Sequence, residues 1–104
     1  MYKWPDKDKD EIVDYSIDWS RFLAGDTIAG VVWFVDDADE VKTQLNDAVI
    51  VNGLQFVSGT NTSSVATARF SLGTNNVRYK VTCRVNTLQG LQYERSVSLR
   101  IKEK

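Results

Sequence analysis

Asp6, Asp8 and Asp10 stand at the i, i+2, i+4 spacing that opens an EF-hand calcium loop, and they form the most cation-like constellation in the chain. Such a loop needs a glycine at its sixth position and a bidentate glutamate at its twelfth. Counted from Asp6, those positions hold Glu11 and Ile17, and Lys7 and Lys9 place positive charge among the ligands. The pattern reads as a solvated charged segment. A second acidic group, Asp36, Asp37, Asp39 and Glu40, falls between two expected strands. It could hold calcium weakly, against the plainer reading of a polar turn.

Beyond these acids the chain is poor in chemistry. It has no histidine, which removes Ser-His-Asp and Cys-His nucleophile systems and His-ligated metals, and its one cysteine, Cys83, leaves no internal disulfide and no thiolate zinc site. Cys83 alternates with apolar residues and reads as a small buried hydrophobe. Gly25, Gly30 and Gly53 lie singly, so no phosphate-cradling loop is present. No catalytic residue, cofactor or metal is expected. Thirteen Lys and Arg against 14 Asp and Glu give a net charge of -1, which supplies no field to draw in nucleic acid or anionic lipid. The charged first residues are unlike a secretory signal. The longest apolar run, Val31 to Val35, is far short of the about 20 residues needed to cross a bilayer, so assembly in the cytoplasm is expected.

The elements that would position any site are strands. At 104 residues the chain is one domain's worth, and 42% hydrophobic with 26% charged residues is ordinary for a folded protein. Past Glu11, short apolar or alternating stretches are separated by Gly, Asn, Asp, Ser and Thr clusters at roughly ten-residue spacing, the pattern of an all-β sandwich. Tyr15, Ile17 and Trp19 give a first strand with one apolar face. Thr27 to Val35 is apolar on both parities and reads as a central strand. Asp47 to Val57 is divided by the hairpin signal Asn52-Gly53, Gly59 to Ser63 reads as loop, and Val65 to Leu72 directs Ala66, Ala68, Phe70 and Leu72 to one side. Tyr79, Val81, Cys83 and Val85 alternate with polar residues, and after a turn at Leu88-Gln89-Gly90 so do Val97, Leu99 and Ile101. Gly73 to Val81 resembles the tyrosine corner of immunoglobulin-like domains, with Val81 where such domains place a disulfide cysteine. The expectation is an immunoglobulin-like antiparallel β-sandwich of about seven strands over residues 12–104, preceded by an extended N-terminal arm over residues 1–11.

Two groups of residues are candidates for contact with another protein. Lys80 and Arg84 on the wet face of one strand, with Arg100 and Lys102 on that of the next, would make a basic patch able to dock an acidic partner if the strands pair. The competing reading is an ordinary solvated face. In the arm, Tyr2 and Trp4 beside Pro5 and Asp6 are either anchors in an interface or aromatics folded back on the sandwich end.

Tyr2-Lys3-Trp4-Pro5-Asp6-Lys7-Asp8, the run from Asp10 to Trp19, Gly25-Asp26-Thr27-Ile28, Tyr79 to Val85, Thr87, Gly90 and Glu94-Arg95 together resemble a family of small virion proteins of tailed bacteriophages and prophages. Its members are fiber-to-tail adaptors or small head and tail proteins. Lys9 stands where the family pattern has proline. The resemblance implies a non-catalytic adaptor or decoration subunit of the virion, present in several symmetric copies and bound to capsid, neck, tail or fiber proteins through Tyr2, Trp4, Pro5, Asp6, Lys80, Arg84 and Arg100. The alternative is a glycan-binding or host-attachment module that uses exposed Trp or Tyr as stacking platforms.

Overall fold

A computed structural model describes residues 2–37 and 39–103; Met1, Ala38 and Lys104 lie outside the described residues. Among the described residues nine strands form two sheets: β1 (Tyr2–Lys3), β2 (Val13–Asp18), β3 (Ile28–Asp36), β4 (Lys42–Gln44), β5 (Ile50–Val51), β6 (Leu54–Asn61), β7 (Val65–Leu72), β8 (Arg78–Thr87) and β9 (Gln92–Arg100). The larger sheet runs β1-β9-β8-β3-β4 and the smaller β2-β7-β6-β5. All pairings are antiparallel except β1 with β9. The fold is thus an all-β sandwich. Two of the nine strands are only two residues long, which is why strand counting from the sequence comes out lower.

Alternation decides which side chains meet between the sheets. Tyr79, Val81, Cys83 and Val85 of β8 and Val97 and Leu99 of β9 are buried against Tyr15, Ile17, Ala66, Ala68 and Phe70 of the smaller sheet. Tyr15 lies opposite Ala68 and Ile17 opposite Ala66, so a bulky residue sits beside a small one and the layer stays even. Cys83 is fully buried, which pushes its thiol up to about 12.

Three local features depart from the sequence expectation. Residues Gly59 to Asn61, read as loop, continue β6, because a bulge between Phe56 and Ser58 lets pairing with β7 resume. Leu72 does not share the core face of Phe70. Its backbone turns left-handed at φ 59°, which leaves Leu72 exposed and buries Ser71 instead. A single helical turn, α1 (Ser20–Leu23), follows Trp19 where no helical period is visible, and it buries Leu23 while leaving Phe22 exposed.

The turn at Asn52-Gly53 has φ of 49° and 89°, both left-handed, as a two-residue hairpin of this twist requires. It is locked from the other side of the core. The Tyr79 hydroxyl donates to the Asn52 carbonyl at 2.7 Å and accepts the Thr74 N–H at 2.9 Å, so one phenol ties the β5–β6 turn to the loop before β8. A Cβ at Gly53 would stand 2.6 Å from Thr74 Oγ1, which excludes larger residues there.

Residues 2–11 run along the seam between the two sheets. β1 pairs in parallel with β9, Tyr2 opposite Val97 and Lys3 opposite Ser98, and the Trp4 N–H donates to the Ser98 carbonyl at 3.0 Å. The Trp4 ring turns to the other sheet. It stacks on Tyr15 with centroids 4.8 Å apart and an interplanar angle of 18°, and its Nε1 donates to the Ser16 carbonyl. Tyr15 Oη donates to the Pro5 carbonyl at 3.0 Å. Burial, with Glu11 and Asp6 nearby, raises the Tyr15 phenol to about 12. Lys7 is wholly buried: its backbone joins Arg100 and Lys102, while its ammonium donates to the carbonyls of Leu72 at 2.7 Å and Asp8 at 2.8 Å. Burial pulls the Lys7 pKa below the usual lysine value against the opposing effect of Glu11, Asp8 and Asp10.

Two expected outcomes follow from these contacts. Tyr79→Phe leaves the Asn52 carbonyl and Thr74 N–H without their partner and should destabilise by about 1–3 kcal/mol in urea denaturation; an unchanged midpoint would show that the phenol does not lock the turn. Trp4→Ala should cost about 3–5 kcal/mol, as for a core tryptophan, whereas a surface anchor replaced by alanine would leave the thermal midpoint unmoved.

Candidate protein-binding interface

The outer face of the larger sheet carries a group of basic residues. In the β8–β9 ladder Arg78 stands opposite Arg100, Lys80 opposite Ser98, and Arg84 opposite Glu94. Lys80, Arg84 and Arg100 therefore share one face, and the register brings Arg78 and Lys3 to it as well. The face divides into two parts. At one end Arg84 Nε and Lys42 Nζ both hold Glu94, and the two cations lie 4.7 and 5.2 Å from the Phe34 ring centroid. Hydrogen bonds from Lys42 and Arg84 hold the Glu94 carboxyl below the usual range. These cations lie over an outward-facing phenylalanine, which explains why β3 is apolar on both parities.

At the other end charge is not balanced. Lys3, Lys80, Arg78 and Arg100 lie within a few residues of one another across three strands, and among the described residues no carboxylate makes an ion pair with any of them. Arg78 Nη1 donates to Ser98 Oγ at 3.2 Å, a neutral partner. Like charges directly opposite on a ladder destabilise it, so the Arg78 and Arg100 pair is a cost that an anionic partner would relieve. Arg78 was legible in the sequence, since it has the same parity as Lys80 and Arg84. Lys3 was not, because nothing in residues 2–3 signals a strand pairing in parallel with β9.

The arm residues are placed differently from one another. Trp4 is 5% exposed and cannot anchor another protein, a correction to its reading as a contact residue: its ring is needed between Tyr15 and the core. Tyr2 is 57% exposed, with the Arg95 guanidinium 5.5 Å from its ring centroid and that same guanidinium 5.8 Å from Phe22. Pro5 and Asp6 are exposed beside it. Trp4, Trp19 and Trp33 are all buried, so of the exposed Trp or Tyr platforms expected of a glycan-binding module the tryptophans are corrected, while Tyr2 is exposed.

The acidic groups serve local structure. Asp8 Oδ1 accepts the Asp10 N–H and Glu11 Oε1 accepts the Asp8 N–H, both at 2.8 Å. Asp37 Oδ1 accepts the N–H groups of Asp39 and Val41. Among the described residues no three Asp, Glu or Cys converge in a way that could hold a metal ion.

No helix of the described structure is long and apolar enough to cross a membrane. Comparison with curated proteins finds no match. A family model described as podophage GP4 fiber-tail adaptor protein gp77 matches residues 7–100, from the buried Lys7 to the end of β9 and therefore nearly the whole sandwich. With that coverage, and with a β-sandwich whose distinguishing surface is a charged sheet face, the chain belongs to the phage fiber-tail adaptor family of gp77.

Proposed function

We propose that the protein is a non-catalytic structural subunit of the virion that joins tail and fiber proteins, in several copies set by the symmetry of the particle. The observation that carries this reading is the unpaired basic cluster of Lys3, Arg78, Lys80 and Arg100, which suits an acidic surface on a neighbouring protein. Tyr2, Pro5 and Asp6 lie exposed along the N-terminal strip, and the exposed tyrosine adds an aromatic contact of the kind favoured at interface centres. Arg84 has a lesser part, being held by Glu94 and Phe34. The parallel outer strand, the order of the larger sheet and the tyrosine hydrogen-bonded back to its preceding loop support an immunoglobulin-like sandwich.

Charge reversal tests the reading. The combined variant Arg78→Glu and Lys80→Glu should fold, since it turns the Arg78–Arg100 like-charge pair into an opposite-charge one, and its incorporation into particles should fall roughly a hundredfold, from about one decade lost per 1.4 kcal/mol over buried charges. Quantifying the subunit in purified virions reads the result. Incorporation at the wild-type level would sink the basic face as the docking surface.

A further inference from the structure

The two seams of the sandwich are finished differently. One is filled by residues 2–11. The other, between β3 and β6, is a groove of ≈ 580 Å³ whose lining includes Val31, Trp33, Leu45, Phe56, Gly59 and Asp47.

Both flanks of this groove are unfinished strand edges. β4 pairs with β3 only from Phe34 to Asp36, and the Leu45 N–H donating to the Trp33 carbonyl at 2.9 Å extends that contact by one residue. Along an antiparallel strand a residue's N–H and C=O point to one side and alternate with its neighbours'. Val31 therefore directs both groups the same way as Trp33, toward a side where no described strand pairs with it. Across the groove β5 pairs with β6 at Leu54 and Gln55, with two further backbone bonds at Phe56. Ser58 to Asn61 have β7 on one side alone.

Gly59 sets the depth of the groove. Gly59 has no left-handed φ to require a glycine, yet a Cβ there would lie 3.1 Å from Phe56 Cζ and 3.4 Å from Trp33 Cδ1 and Nε1. With no side chain there, the groove over Phe56 and Trp33 stays open to the approach of another backbone.

We propose that this groove receives an extended segment of a partner protein, added as a strand to the free edge of β3 beside Val31. The segment's backbone passes over Gly59. The occupant is a strand because the groups left open are those of extended backbone, which repeat at about 3.4 Å per residue and pair only with another extended chain. Of the residues lining the groove only Asp47 is charged, and Gln44, Asn46, Thr60 and Asn61 line it beside Val31 and Val32, so the segment is nearly neutral, with small polar and apolar side chains. This surface is separate from the basic face, and the adaptor reading enters only in naming tail and fiber proteins as the source.

The test uses the full chain and overlapping peptides about ten residues long, the upper range of ordinary strands, covering the fiber and tail proteins of the phage that encodes it. At least one peptide should bind. On binding, the amide of Val31 and those of Ser58 to Asn61 that face away from β7 should exchange with solvent roughly tenfold more slowly. Gly59→Val should weaken that peptide roughly tenfold, Val31→Pro should do the same by removing the edge N–H, and Lys80→Glu should leave it unchanged. Failure of every peptide to bind, binding without protection at these amides, or full affinity in both groove variants overturns the proposal. If the charge-reversed protein fails to enter particles while Gly59→Val enters normally, the groove is overturned and the adaptor reading stands.

Discussion

The sandwich depends on one ammonium group taken out of water. Lys7 sits where the smaller sheet ends at Leu72 and the larger sheet ends at Ile101, and its backbone and side chain bond to both. A buried lysine is unfavourable unless its donors are met, so the segment that carries it is held in one register or not at all. That register sets Trp4 three residues earlier against Tyr15 and lines β1 up with Val97 and Ser98. What looks in the chain like a loose charged arm is the strip that closes one side of the core.

Charge in this molecule is segregated rather than scarce. The net value of -1 averages a basic sheet face against acids in the N-terminal strip and in the loop between β3 and β4. The acids are largely taken up by backbone N–H groups in tight turns, as at Asp8 and Asp37, whereas the cations at the end of β8 and β9 have no such partners in the described structure. A mean charge says little about recognition once strand pairing has sorted the signs onto different faces.

Strand periods were the readable part of the sequence. The alternation of Tyr79 to Val85 and Val97 to Ile101, the hairpin at Asn52-Gly53 and the corner tyrosine are local, and each appears in the fold as an unbroken ladder, a left-handed turn and a cross-core hydrogen bond. What escaped was non-local. Nothing near Lys7 reveals that Leu72 will offer its carbonyl, nothing near Tyr2 reveals β9, and the end of β6 was hidden because a bulge shifts its period by one residue. For the candidate site, parity placed Lys80, Arg84 and Arg100 on one face, but only the register could add Lys3 or show that Trp4 faces inward.

The parallel pairing of β1 with β9 joins segments some 95 residues apart in sequence, as Tyr2 with Val97. Contacts of such long sequence separation carry the largest loop-closure entropy and form late, after local hairpins such as β8 with β9. On the ribosome the first strand has no partner until the last one has emerged. The seam closed by residues 2–11 therefore has to wait for β9, and the face that Lys3 completes exists only once that strand has been made.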